Sequence, residues 1–486
     1  MLAAVRSAGI VGIDAYDVTV EVDASAGLPQ WIIVGLALGA VKESRERVGA
    51  ALMNSGFTLP PRRVTVNLAP ADVRKDGTAF DLPIAIGILV ATGQLPPAAV
   101  ERRVFVGELG LDGSIRAIRG ALSVARHAAS RAGAAELIIP RSNLSEAGRV
   151  SVLRLSAPEN LRELASELRS GLLTQASSRA PVPVPKREPL DFADVVGQQA
   201  AKRALEVAAA GGHNLIMIGA PGAGKTMLAR RLPGILPELT EAESLEVIAI
   251  HSVAGALTPE ALASSERPFR APHHSISSAG LIGGGSHPRP GEVSLAHNGV
   301  LFLDEMLEFP RSVLDGLRQP MEDGRVVISR AATSITFPAR FTLIGATNPC
   351  PCGRLGDANG TCTCSMSDLD RYRSRMSGPL ADRMDMHVTV GPVALRELSS
   401  ATDCESSDAI RARVSDARAR QSQRYARMRG VVCNAHASGR WIDSQAGIES
   451  DARALLHQAA DALALSARGY HRVLKVARTI ADLDAD

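Results

Sequence analysis

Residues 219–226 read Gly219-Ala220-Pro221-Gly222-Ala223-Gly224-Lys225-Thr226, which meets the pattern G-x-x-x-x-G-K-[ST] at every fixed position. Glycines let such a loop wrap its backbone N–H groups around a phosphate, and a helix that starts there aims further N–H groups at negative charge. Lys225 is placed to reach the β- and γ-phosphates and Thr226 to hold Mg²⁺, in a cradle that runs on to Met227. The residues around the loop fit this chemistry. His213-Asn214-Leu215-Ile216-Met217-Ile218 has the apolar run of a buried strand, and Met227-Leu228-Ala229-Arg230-Arg231-Leu232 reads as a helix. Binding and hydrolysis of a nucleoside triphosphate is the expectation.

Two more strand ends carry polar tips. Val300-Leu301-Phe302-Leu303-Asp304-Glu305 is an apolar run closing on two acids, of which the first would support Mg²⁺ and the second would orient an attacking water. Phe341-Thr342-Leu343-Ile344-Gly345-Ala346-Thr347-Asn348 is a second such run. Its Asn-Pro end also makes an ordinary turn, but beside the acidic strand Asn348 is read as a water-positioning group. Cys350-Pro351-Cys352 and Cys362-Thr363-Cys364 bring four of the six cysteines within fifteen residues. Four thiolates suit a tetrahedral, structural Zn²⁺; reduced or redox-active cysteines are the alternative.

The elements that must hold these groups follow from pattern. Residues 191–395 alternate strands and helices, as a parallel α/β sheet does. Residues 1–170 form a separate α+β region, with strands expected at Tyr16–Val22 and Val64–Leu68 and helices at Val41–Met53 and Arg119–Arg131. Alternating prolines in 171–190 mark a linker, and 396–486 has the Ala, Arg and Leu spacing of a helical bundle. Residues 322–340 read as a hairpin. Adjacent His273 and His274 point different ways, which favours hydrogen bonding in a loop over metal ligation.

Composition sets the outer limits. A length of 486 residues suggests roughly two to four domains. The net charge of +3 excludes a uniformly basic nucleic-acid binder, and 3% aromatic residues argue against a broad base-stacking platform. Contact with DNA would come from local arginines. No uninterrupted apolar run reaches about 18 residues, so no membrane span is expected, and the N-terminus alternates like a strand rather than a leader. A cytoplasmic location is expected.

The order GAPGAGKT, VLFLDE, GATNPCPCG, SGPLADRMDMHV resembles the AAA+ ATPases of the magnesium-chelatase-like group, and VKESRERV, RPFRAPHHSIS and ARGYHRVLKVARTIADL resemble the YifB/ComM family within it. The resemblance implies a P-loop AAA+ core with a helical lid, ATP with Mg²⁺, zinc on the cysteine cluster, and a homo-oligomeric ring, usually a hexamer. It implies action on branched DNA in homologous recombination and natural transformation, with recombination proteins as candidate partners. An AAA+ machine acting on a protein partner, as in a chelatase, is the alternative. Arg383 matches the arginine finger offered to a neighbour's ATP. Arg468 best matches the lid arginine that contacts the γ-phosphate, with Arg472 as the alternate. Residues 255–295 match an insertion in the second helix, and Arg270, Arg289, Arg325 and Arg330 become candidates for DNA-backbone contact. Residues 5–165 resemble the Lon-type protease fold. Ala79 then stands at the nucleophile position and Leu122 at the base position, so no peptidase activity is expected.

Overall fold

The computed structural model describes residues 1–59, 61–131, 136–176, 190–285, 288–330, 333–356, 361–393, 404–445 and 447–485. Most of the Pro-rich linker (177–189) and the start of the lid segment (396–403) lie outside the described residues. The chain forms two units, Met1–Val184 with Ser244–Ser264, and Pro185–Glu243 with Ser265–Asp486.

The first unit is built on a seven-stranded mixed sheet. The strand expected near residue 16 runs over Asp14–Ser25 and pairs antiparallel with Leu2–Val11 on one side and Arg63–Ala69 on the other. Its period-two alternation puts Val18, Val20 and Val22 into the core. Over that face lies the helix Asp81–Ala91, buried at every residue. A second sequence segment completes the unit. Ile248, Ala249 and Leu262 pack on Leu122, itself fully buried. Ser252 Oγ accepts the Gly120 N–H at 2.8 Å, and Arg149 donates to the Leu262 carbonyl. Nothing in the residue pattern announces this excursion of 244–264 from the phosphate-loop half of the chain.

The second unit holds a five-stranded sheet in the order Phe269–Arg270, Gly299–Leu303, Phe341–Thr347, Leu215–Ile218, Met386–Thr389. Every neighbouring pair is parallel. The strand Gly299–Leu303 is buried throughout, as a parallel sheet covered on both faces requires. Where the 244–264 excursion leaves and returns, Arg267 grips Glu243 through two hydrogen bonds of 3.0 and 3.1 Å and the Asn298 carbonyl at 2.8 Å. The hairpin pairs Arg325–Arg330 with Thr333–Pro338. Helices Ser407–Arg424, Gly439–Gln445, Ser450–Ala462 and Ala467–Asp484 form the lid region.

A buried polar knot fixes the last helix. Asp482 is fully buried, pairs with Arg424 and Arg478, and accepts from Asn434 Nδ2 at 2.8 Å. Asn434 also donates to Thr479 and accepts from Tyr425. Burial alone would raise the Asp482 carboxyl; the hydrogen bonds from Arg424 and Asn434 overcome it and hold the group below the usual carboxylate range. A depressed native value means the stabilisation is present above the unfolded value near 4 and is lost as pH falls through the native one. Asp482→Asn is therefore expected to cost about 3 kcal/mol at neutral pH, because it leaves the guanidiniums without a counter-charge. Thermal unfolding at stepped pH checks this: the gap to the wild type should close as pH drops below about 4.

Candidate nucleotide site and metal centre

The C-terminal ends of three adjacent parallel strands bring the polar residues together. Leu215–Ile218 runs into the glycine loop, Gly299–Leu303 into Asp304-Glu305, and Phe341–Thr347 into Asn348. Glycine is obligatory at the loop's first position, since a Cβ on Gly219 would stand 2.3 Å from the Val390 carbonyl oxygen. Gly224, at φ +90°, turns the chain into the helix Lys225–Ile235 in a backbone region that costs other residues energy. The loop between them, through Ala220, Pro221, Gly222 and Ala223, thus ends where helical N–H groups are unpaired and point outward. Met227 lies in the first turn of that helix and is partly exposed.

Lys225 is buried. Its ammonium donates to the carbonyls of Gly219 (2.6 Å) and Ala220 (2.9 Å) and to Asn348 Oδ1 (3.2 Å). All three partners are neutral oxygens. Burial lowers its proton affinity, while the nearby Asp304 and Glu305 charges pull the other way. An anionic phosphate would supply what this site lacks in contact, a counter-charge. Thr226 Oγ1 donates to Asp304 Oδ2 at 2.7 Å, and the Glu305 N–H donates to Asp304 Oδ1 at 3.0 Å. A hydroxyl and a carboxylate oxygen converging in this way fit a hard cation such as Mg²⁺. Glu305 itself is more than half exposed and has a left-handed backbone, φ +49°.

Two partners of this site were not legible from sequence. Gln198 bridges the loop to the segment that follows the neighbouring strand Met386–Thr389, donating to the Ala223 carbonyl at 3.3 Å and the Gly391 carbonyl at 2.5 Å. His274 Nδ1 stands 3.3 Å from Glu305 Oε2. Motif spacing carries no signal for either, because both contacts are long-range.

Arg383 and Arg468 lie at the other end of the sheet. Asn214, just before the strand Leu215–Ile218, donates to the Arg383 carbonyl at 3.1 Å. Along that strand Asn214 and Gly219 are about 16 Å apart at about 3.3 Å per residue. Arg383 and Arg468 line a cleft of about 260 Å³ with Asp382, Arg472 and Lys475. Arg383 pairs with Glu322 and donates to the Pro379 carbonyl at 2.6 Å. Arg468 is exposed. Arg472 caps the Ala381 and Met384 carbonyls at 3.3 and 2.7 Å, so it fixes the turn that carries Arg383. The buried Nε atoms of Arg383 and Arg472 have no hydrogen-bond partner among the described residues.

Of the arginines considered for DNA contact, Arg270 is held in a two-point pair by Glu292, at 2.6 and 2.8 Å. Arg289 and Arg325 are exposed; the Arg330 side chain lies outside the described residues.

Cys350, Cys352, Cys362 and Cys364 place their sulfur atoms within 4.8 Å of one another. Cys350, Cys352 and Cys362 are separated by 3.4, 3.6 and 3.7 Å. A tetrahedral zinc–thiolate site has sulfur edges of about 3.8 Å, so the cluster fits that ion. The backbone N–H groups of Arg354 and Thr363 pull the Cys352 thiol down, while burial and the neighbouring thiols push those of Cys362 and Cys364 up. Elemental analysis of the purified chain is expected to find about one zinc per chain, with Cys350→Ser abolishing it and lowering the unfolding temperature. A zinc-free wild type of unchanged stability would refute the assignment.

Comparison with known proteins agrees with this layout. The family model for magnesium chelatase, subunit ChlI, matches residues 191–398, a second ChlI model matches 20–143, and a ChlI C-terminal model matches 404–486. The chain is 44% identical to the competence protein ComM of Haemophilus influenzae, covering 100% of this chain and 94% of that one. It is 41% identical to the uncharacterized protein YifB of Escherichia coli, over 99% of this chain and 94% of the relative. The magnesium-chelatase 67 kDa subunit of Chlorobaculum parvum is 30% identical over 32% of this chain and 23% of its own.

Proposed function

The chain belongs to the YifB/ComM family of magnesium-chelatase-like proteins, and from that premise we propose an ATP-hydrolysing ring that moves branched DNA. The observation that carries the reading is the opposition of two half-sites within one unit. The phosphate cradle and the Arg383–Arg468 cleft sit at opposite ends of one parallel sheet, so each needs the other from a second copy.

In this reading the Gly219–Thr226 backbone N–H groups receive the phosphates. Lys225 exchanges its carbonyl partners for phosphate oxygens, with Asn348 fixing its ammonium and presenting an amide to water. Thr226 and Asp304 would hold Mg²⁺, which would supply charge neutralisation on the phosphates. Glu305 accepts the proton of the attacking water. Arg383 reaches in from the neighbouring copy to offset the charge that builds on the transferring phosphoryl group, and Arg468 of that neighbour approaches the same phosphate. The exposed Arg289, on the insertion, and Arg325, on the hairpin, are the candidates for DNA phosphates. The relative named as a competence protein supports DNA as cargo. The first unit, on its resemblance to Lon-type proteases, serves as an inert docking module: the apolar Leu122 carries no base and is packed against residues 248–262.

Glu305→Gln is expected to bind ATP normally and to hydrolyse it at least about 100-fold more slowly. Forked DNA should stimulate the wild type, with an affinity that falls steeply as salt rises. Turnover indifferent to every DNA form, with salt-insensitive capture of a protein instead, would favour a protein-remodelling motor.

A further inference from the structure

The cysteine cluster and the phosphate loop grow from one strand pair. Leu215–Ile218 and Phe341–Thr347 run side by side with Ile218 opposite Thr347, and the Gly219 N–H donates to the Thr347 carbonyl at 3.1 Å. Asn348, next along, accepts from Lys225 at 3.2 Å. Two residues further on stands Cys350, fully buried. Its sulfur accepts the Leu355 N–H at 3.3 Å and its carbonyl accepts the Gly353 N–H at 3.0 Å.

That turn lays Gly353 against the phosphate loop. A Cβ on Gly353 would stand 2.7 Å from Pro221 Cδ and 2.8 Å from Pro221 Cγ, closer than any side chain tolerates unless something shifts. The far end of the cysteine segment returns to the same strand. Ser365, the residue after Cys364, caps the helix Met366–Arg373. On that helix the buried Tyr372 sets its hydroxyl 3.2 Å from Thr347 Oγ1. The segment around the cluster therefore meets the nucleotide site at Asn348, Pro221 and Thr347.

Thiol–thiol contacts are weak, whereas metal–thiolate bonds that join Cys350 and Cys352 to Cys362 and Cys364 fix the turn carrying Gly353. We propose that Cys350 and Gly353 are positioning residues of the nucleotide site: a zinc-loaded cluster seats Gly353 on Pro221 and anchors the strand end behind Asn348, which sets the phosphate loop and Lys225 for a triphosphate. The inference rests on the readings of Gly219–Thr226 as the phosphate cradle and of the four cysteines as a zinc centre; it adds the coupling between them. Such a coupling is reciprocal, so nucleotide must tighten zinc by the factor with which zinc tightens nucleotide.

The test uses the full chain with Mg²⁺ and a fluorescent, non-hydrolysable ATP analogue. Removing zinc with a chelator that leaves Mg²⁺ alone should weaken analogue binding about tenfold, and adding zinc back should restore it. Zinc affinity, read by competition with a chromogenic chelator, should rise by the same factor when the analogue is present. Gly353→Ala tests the contact with zinc in place. It should keep one zinc per chain and weaken the analogue about tenfold, because the added methyl displaces Pro221. In a Pro221→Ala background the same substitution should have no further effect, since alanine lacks the ring atoms that the methyl would strike. Unchanged analogue affinity in a folded, zinc-free chain, or wild-type affinity in Gly353→Ala, would overturn the coupling and leave the cradle standing. A zinc-loaded wild type that fails to bind the analogue would sink the cradle reading, and the coupling with it.

Discussion

Every strand of the second unit's sheet runs in the same direction, and that constraint sorts the chemistry. In a parallel sheet all C-terminal strand ends share one edge, so the phosphate loop, Asp304-Glu305 and Asn348 meet there without any loop having to travel. The opposite edge collects what precedes the strands: Asn214 before one, Asp385 before another, and Arg383 two residues earlier. The same rule that assembles the cradle therefore keeps the arginine cleft away from it. In one copy of the chain the phosphate loop and the Arg383 cleft lie at opposite edges of the sheet.

Charge and burial then do the local tuning. Lys225 is an ammonium among neutral oxygens, with burial working against its charge. The far cleft has guanidiniums with spare donors: Nε of Arg383 and of Arg472 among the described residues. Asn214 ties the strand starts together at one edge: its Oδ1 accepts from the Leu343 N–H at 2.8 Å and its carbonyl accepts the Asp385 and Met386 N–H groups, so three neighbouring strands are joined there.

How much of this could be read from residues alone depended on range. The phosphate loop, the acidic strand and the hairpin are local patterns, and the structure places strands and helices where those patterns sit, within a few residues. The cysteine cluster was legible because its spacing is itself short, and the fold brings all four sulfur atoms together. What pattern missed are pairings between distant segments. Arg270 was a candidate for DNA contact within the insertion, yet Glu292 neutralises it. Arg468 stood ahead of its alternate Arg472 on resemblance alone; the structure leaves Arg468 exposed and turns Arg472 onto the Ala381 and Met384 carbonyls. The packing of residues 244–264 on Leu122 is invisible because an amphipathic helix announces that it buries a face and not which unit receives it.

The completion of one nucleotide site by two copies can be measured by mixing. Lys225→Ala chains keep Arg383 but lack the cradle's lysine, and Arg383→Ala chains keep the cradle but lack the trans guanidinium. Each should hydrolyse ATP about 1,000-fold more slowly than the wild type. An equimolar mixture should recover a substantial fraction of wild-type turnover, rising with total protein concentration. A mixture no faster than its parts, or Arg383→Ala chains that turn over normally as monomers, would contradict the account.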